Sequence, residues 1–321
     1  MKFERVLKYF PLPQFVSPGH IGMSFSSSSV KAMFLDGSNT NPEIKSIIIP
    51  LEKGVISDGK IENLKELATK ISEIKKFFSS ESFVSFAIPD ELIYLFRTSA
   101  PLAKGSSVTE ALAFSIEENV PLPLSETIFD FEPLGVRQLG SEYGADVVVA
   151  ASVKKEVEKF SEAIKLGGLN PAGAVHESQA IANALMPKNF SGSACIVHAR
   201  KDRIGIYLVR NSAVIFSTLR YVYEGTYEHN FLDEYDKFLE YSSRYEKEEK
   251  SPIKIVFVCG EFEFAQKTVE SVSKKDLSKR EVKLANVWSN VLEINEKTPS
   301  LSYEESINFA GPVGAALSNT L

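Results

Sequence analysis

Two stretches of the sequence have the composition of phosphate-binding hairpins. The first spans residues 21–31 and contains four consecutive serines, and the second spans residues 194–202. In each, an apolar strand enters a small or polar turn and a second strand follows, a geometry whose inward-pointing N–H groups can hold a phosphate. An ATPase of this shape needs a carboxylate near the start of each hairpin to hold magnesium and its waters. Ser24 and His198 occupy those positions, so the pattern predicts a retained scaffold with lost chemistry.

The composition is that of a globular protein with two domains. The chain has 321 residues, of which 44% are hydrophobic and 24% charged, and this length exceeds what one hydrophobic core usually supports. The formal net charge is -6 and no basic block stands out. Because affinity for nucleic acid needs a concentrated positive face, we expect no nucleic-acid partner.

The cysteines and the hydropathy pattern favour a cytoplasmic location. Cys195 and Cys259 both lie in apolar strand-like runs, which is typical of buried thiols in a reducing compartment. No run approaches the roughly 18 apolar residues of a membrane helix, and Met1–Phe10 does not resemble a secretory signal. The same ten residues are predicted to pack on their own domain, with a short amphipathic segment that touches lipid or a partner as the alternative.

Strands and helices alternate along the chain, and residues 90–170 are predicted to form a small α+β insert. Within it, Ser107 begins a capping box and Ser152 is predicted to cap a helix. Further on, Asn230 is predicted to cap a helix over residues 231–245. A final helix over residues 303–317 is predicted to be interrupted near Gly311-Pro312.

The order of these parts resembles the actin-like ATPase superfamily, and more closely the PilM family of type IV pilus assembly proteins, which are related to the cell-division protein FtsA. The resemblance covers nearly the whole chain and rests on these segments: residues 22–31, 110–123, 130–134, 147–156, 168–171, 177–180, 258–260 and 309–317.

The resemblance implies an α/β fold of the actin-like, ribonuclease H-like type, with two lobes and an inserted α+β subdomain. The implied boundaries are residues 1–89 for the first part of the first lobe, 90–170 for the insert, 171–190 for the return to the first lobe, and 191–321 for the second lobe. The usual insertion of the second lobe is expected to be much reduced, since little sequence separates Thr218 from Phe231.

The resemblance also implies a vestigial nucleotide cleft, without a metal site, that binds ATP weakly or not at all. The implied cleft residues are Ser26, Ser27, Ser28, Lys31, Glu177 and Gly260. Glu261 stands where the adenosine loop of the family carries a second glycine, so the backbone cannot approach a base as closely.

The implied role is that of an adaptor without ATP hydrolysis at the cytoplasmic face of the inner membrane. Such a protein binds the tail of a PilN-like membrane protein in a groove beside the insert, contacts pilus motor components and can form a homodimer. One alternative is an active ATPase in which Glu177 or Asp202 replaces the missing ligands. Another is an FtsA-like filament or membrane tether, which the polar C-terminus disfavours.

Overall fold

The computed structural model describes residues 20–35, 44–79, 81–101, 108–139, 142–187, 190–223, 225–275, 280–291 and 301–318. The predictions for Met1–Phe10 and for the capping box at Ser107 lie outside these residues.

The described chain forms strands and helices in an α/β order. The strands are β1 (His20–Phe25), β2 (Ser29–Leu35), β3 (Ile44–Pro50), β4 (Ile56–Ser57), β5 (Lys60–Ile61), β6 (Phe83–Ile88), β7 (Ile93–Pro101), β8 (Thr127–Leu139), β9 (Glu142–Val153), β10 (Asn170–His176), β11 (Ser193–Ala199), β12 (Arg203–Arg210), β13 (Ala213–Tyr221), β14 (Ile253–Gly260) and β15 (Glu281–Leu284). The helices are α1 (Leu64–Phe77), α2 (Val108–Asn119), α3 (Lys154–Leu166), α4 (Glu177–Leu185), α5 (Tyr227–Glu249), α6 (Phe262–Lys275), α7 (Tyr303–Ser306) and α8 (Ala310–Leu317).

Two five-stranded sheets with the same connectivity form the two lobes. The first has the order β10-β6-β1-β2-β3, and the second has the order β13-β12-β11-β14-β15. In each sheet an antiparallel meander of three strands is joined to two parallel strands. The two predicted hairpins are therefore β1–β2 and β11–β12, and they occupy equivalent places in the two lobes.

Each sheet is covered on its outer face by two helices. In the first lobe, alternate residues of β1 point towards α1 and α3, and the rings of Phe25 and Phe160 lie 4.8 Å apart. In the second lobe, α5 and α6 cover the sheet, and Phe231, Tyr235 and Phe238 of α5 are buried there. Period-two alternation along the strands places one set of side chains in these outer cores and the other set between the lobes.

Helices α4 and α8 lie between the two sheets. Apolar side chains of both helices form one cluster with residues of β11, β12 and β13. A Cβ atom at Gly314 of α8 would lie 1.5 Å from the carbonyl oxygen of Ala180, and one at Gly22 of β1 would lie 1.8 Å from that of Pro312. The close approach of α8 to β1 and α4 thus requires glycine at both positions.

The insert is an antiparallel sheet of order β7-β9-β8 with α2 on one face. Its predicted end at residue 170 included α3. However, Phe160 and Ile164 of α3 are buried in the core of the first lobe, so we place the insert within residues 93–153. Arg97 of β7 connects the insert to the second lobe, because its guanidinium contacts Asp146 at 2.9 Å and Glu249 of α5 at 2.8 Å.

Three predicted helix boundaries are wrong. Helix α5 begins at Tyr227, and Asn230 lies inside it and accepts hydrogen bonds from Arg220. Ser152 is a residue of β9, and Val153 precedes α3 without a side-chain cap. The final helix is interrupted by a 3-10 turn at Ile307–Phe309, and Pro312 lies in the first turn of α8, where its missing N–H has little effect.

Two other expectations agree with the structure. Cys195 and Cys259 are both buried. Only residues 222–226 separate β13 from α5, so the second lobe lacks room for a large insertion at that point. Among the described residues, no helix is long and apolar enough to cross a membrane.

Candidate functional site

The two hairpins meet across the space between the lobes, which we call the interlobe cleft. Ser27 Oγ donates a hydrogen bond to Asp202 Oδ2 at 2.8 Å, and Arg200 contacts the same carboxylate at 3.1 Å. The serine turn is also bonded internally, since Ser26 Oγ donates to the carbonyl oxygen of Ser29 at 2.9 Å. Ser28 Oγ lies 3.4 Å from Ser26 Oγ. Most of the hydroxyl groups expected to hold a phosphate therefore have partners within the protein.

Arg203 connects the lobes beneath the hairpins. It lies at the start of β12, is almost completely buried, and forms ion pairs with Glu177 of α4 and with Glu91, which follows β6. Burial raises the pKa of Glu177, and the neighbouring carboxylates of Asp90 and Glu91 add to this effect, although Arg203 opposes it. The predicted cleft residue Glu177 is thus engaged by a permanent cation of the other lobe.

Lys31 of β2 is half-buried. Its Nζ donates a hydrogen bond to Asn308 Oδ1 at 2.5 Å. Burial lowers the pKa of Lys31 to about 8, and the positive charge of Arg200 contributes to the decrease. The amine therefore contacts the turn between α7 and α8 and is not exposed at the mouth of the cleft.

Ser24 and His198, which are predicted to replace magnesium-binding carboxylates, are both buried. A Cβ atom at Gly311 would lie 3.4 Å from Ser24 Cβ, so the start of α8 packs close to this serine. Burial lowers the pKa of His198 well below its usual value, and Arg200, Arg203 and Lys31 lower it further. The histidine is consequently neutral, and its Nδ1 has no hydrogen-bond partner among the described residues.

Gly260 ends β14 and packs against β11. Its φ angle is +112°, and a Cβ atom there would lie 2.1 Å from the carbonyl oxygen of Ala199. The residue is needed for the close approach of two strands. This packing explains why a glycine is required at position 260, and no bound nucleotide is needed to explain it.

The residues of the cleft do not fit a magnesium–nucleotide complex. The cavity between the hairpins measures about 30 Å³, enough for one or two water molecules. Both carboxylates that could replace the missing ligands, Glu177 and Asp202, are held by arginines. In the described part of the chain, no group of three His, Cys, Asp or Glu residues could hold a metal ion.

A second and much larger cavity, of about 690 Å³, lies between the insert and the first lobe. We call it the insert groove. One wall is the face of the insert sheet that points away from α2, and the other consists of β10 and α4. Its lining residues include Ile93, Leu95, Ile128, Asp130, Glu132, Val148, Ala150, Ser152, Val175, His176, Gln179 and Asn183.

The insert groove combines apolar walls with a few polar groups. Asp130 and Glu132 lie on the same face of β8. Burial raises the pKa of Glu132, Asp130 raises it further, and His176 lowers it. Ser152 Oγ is buried without a hydrogen-bond partner among the described residues. Concave sites of this kind, mostly apolar with a few directed polar groups, are typical binding sites.

Sequence analysis did not identify the polar residues of the insert groove, although a signal was present. In Phe129-Asp130-Phe131-Glu132 the period of two places both rings on one face of a strand and both carboxylates on the other. The rings pack towards α2. That the carboxylates then face a groove depends on β10 and α4, which are distant in sequence.

Comparison with known proteins agrees with this architecture. The family model described as "Type IV pilus assembly protein PilM" matches residues 22–273. The chain belongs to the PilM family. No curated protein sequence matches the chain significantly.

Two solved structures show the fold of this PilM-family protein. A structure titled "PilM-PilN type IV pilus biogenesis complex" superimposes with a TM-score of 0.76 at 17% identity, covering 94% of this chain and 98% of that one. The ethanolamine utilization protein EutJ from Carboxydothermus hydrogenoformans gives a TM-score of 0.51 at 13% identity, covering 96% and 91% of the two chains. The two-lobed actin-like fold expected from the sequence is therefore confirmed.

Proposed function

We propose that this PilM-family protein is a cytoplasmic adaptor of a type IV pilus or related assembly platform. It binds the cytoplasmic tail of a PilN-like inner-membrane protein in the insert groove and does so without hydrolysing ATP. The observation that carries this proposal is the contrast between the two cavities, of about 690 Å³ in the insert groove and about 30 Å³ in the interlobe cleft.

The shape of the insert groove supports a peptide ligand. It is open, it is lined by apolar side chains of the insert sheet, and the edge strand β10 forms part of its wall. Extended peptides bind such places through backbone hydrogen bonds and pockets for alternate side chains. A structural relative whose title names a complex of PilM with PilN is consistent with a peptide partner.

The closed interlobe cleft supports a role without ATP turnover. Phosphoryl transfer depends on positioned charge and on magnesium. Ser24 and His198 supply no carboxylate, and Glu177 is paired with Arg203. Side chains of the protein itself hold the two lobes together. We therefore expect the fold to act by presenting binding surfaces to other proteins.

We expect the protein to lie at the inner face of the membrane through its partner. Contacts with pilus motor components would use surfaces other than the insert groove. A homodimer stays a prediction.

Site-specific photo-crosslinking tests the proposal in living cells. A benzoylphenylalanine at Ile128, whose side chain is 45% exposed on the groove face of β8, should crosslink to the PilN-like protein. The same probe at Phe114, 68% exposed on α2 and on the far side of the insert, should not. Crosslinks at Phe114 instead of Ile128, or at neither, would refute the assignment of the groove.

A further inference from the structure

Two carboxylates of the insert groove have no lysine or arginine partner among the described residues. Asp130 and Glu132 are two residues apart on one face of β8, and Asp130 accepts a hydrogen bond from the backbone N–H of Phe131 at 2.8 Å. Among the described side chains, neither forms an ion pair with a lysine or arginine, and burial and the charge of Asp130 raise the pKa of Glu132 while His176 lowers it. Both side chains are exposed and line the groove, and a pair of like charges is stabilised when a cation binds between them.

A third polar group faces the same space. Ser152 lies on β9, beside Ile128 of β8, and only 3% of its surface is exposed. Its Oγ has no hydrogen-bond partner in the described part of the chain, and the residue lines the groove. Buried hydroxyl groups are nearly always hydrogen-bonded, so an unpaired one at the wall of a groove indicates a ligand atom opposite it.

The other wall offers backbone groups. Strand β10 pairs with β6 on one side, and in the described residues no strand pairs with its other side. Residues Gly173–His176 of this strand line the groove. An extended segment can therefore form main-chain hydrogen bonds on one side while its side chains face the insert sheet.

We propose that the insert groove selects an extended peptide carrying a lysine or arginine, which pairs with Asp130 and Glu132 while a peptide group of the same segment hydrogen-bonds Ser152 Oγ. This inference rests on the proposed function, and it names the chemistry of the tail that the groove recognises. Nucleic acids and anionic lipids would be repelled by the same two carboxylates.

Fluorescence anisotropy with labelled 15-residue peptides tests the proposal. The peptides tile the cytoplasmic tail of the PilN-like protein encoded by the same cell, and the tightest binder is then remade with each lysine or arginine replaced by glutamine. We expect one such replacement to weaken binding at least tenfold. The double variant Asp130→Asn, Glu132→Gln should bind the unmodified peptide at least tenfold more weakly than the unmodified protein does. Its affinity for this peptide should also no longer depend on salt concentration.

A matched control has its two charges removed outside the groove. Glu117→Gln, Glu118→Gln on α2 changes the net charge equally and should leave the affinity unchanged. Ser152→Ala should weaken binding several-fold without changing the salt dependence. A variant that lacks residues 1–19, which contain Lys2, Arg5 and Lys8, should bind the tail peptide with the same affinity as the intact chain. Tighter binding after this deletion would mean that the chain's own cationic segment occupies the groove, which overturns the proposal.

Failure of this inference can be separated from failure of the proposed function. Ala150→Phe fills the floor of the groove without adding charge. Suppose that the tail peptide binds the unmodified protein, that Ala150→Phe abolishes this binding, and that neither the glutamine-substituted peptides nor the Asp130→Asn, Glu132→Gln variant weakens it. The groove is then the peptide site, but it does not select a cationic residue. If no tail peptide binds the unmodified protein, the proposed function itself fails.

Discussion

Ser27 of the first hairpin and Asp202 of the second are joined by a hydrogen bond of 2.8 Å across the interlobe cleft. Together with the ion pairs of Arg203, this bond closes the space in which an actin-like ATPase would hold phosphates. Contacts between side chains thus link the two lobes directly.

Replacing Arg203 by methionine should strongly destabilise the protein. The change leaves Glu91 and Glu177 buried without their cation, and removal of one partner from a buried ion pair lowers the free energy of unfolding by about 3–5 kcal/mol. Lys237→Met removes an exposed partner of Asp233 and should leave the free energy of unfolding nearly unchanged, because exposed ion pairs contribute little. Urea denaturation of both variants measures the difference, and equal effects would contradict the buried network.

Lys31 should make stability depend on pH in the alkaline range. Its pKa is about 8 in the folded protein, against an ordinary value of 10.5. Between these values the unfolded chain binds more protons, so the free energy of unfolding should rise with pH by up to about 3 kcal/mol. Lys31→Met should lack this increase. Melting temperatures of the two proteins from pH 7 to 10 measure it, and parallel curves would show that Lys31 keeps an ordinary pKa.

Two glycines separate backbone strain from a steric clash. Gly260 and Gly192 have similar φ angles, +112° and +110°, but a Cβ atom at Gly192 has no neighbour within 4 Å. Gly192→Ala should lower the free energy of unfolding by roughly 1–3 kcal/mol through strain alone. Gly260→Ala should lower it substantially more, because its Cβ would lie 2.1 Å from the carbonyl oxygen of Ala199. Equal losses in thermal unfolding would mean that β11 and β14 can separate freely.

The protein should not bind magnesium–ATP. Glu177 is paired with Arg203, Asp202 with Arg200, and Lys31 with Asn308. We expect no heat in a calorimetric titration at millimolar ATP, with or without magnesium. Micromolar, magnesium-dependent binding would show that the cleft opens and would revive the ATPase alternative.

The sequence predicted the local elements of this structure better than the long-range contacts between them. The hairpins β1–β2 and β11–β12 follow from apolar alternation around polar turns, and both are present. The start of α5 was misplaced because Asn230 is a good capping residue by type. In the fold, however, Tyr227 and Phe231 are both buried on one helical face, and the helix begins at Tyr227.

The contacts of the candidate sites are long-range and left little trace in the local pattern. Arg203 was one of several basic residues near a hairpin, and nothing in the sequence pairs it with Glu91 and Glu177. Ser152 was predicted to be a helix cap because it precedes a helical stripe. It belongs to β9, and its register with β8 places it on the sheet face that lines the insert groove.

The most direct test of the central claim is a calorimetric titration of the PilN-like tail peptide into the unmodified protein and into Ala150→Phe, each with and without magnesium–ATP. The account predicts micromolar binding to the unmodified protein that ATP does not change, and none to Ala150→Phe. Binding that requires ATP, or that survives in Ala150→Phe, would contradict an adaptor that works through the insert groove with a closed cleft.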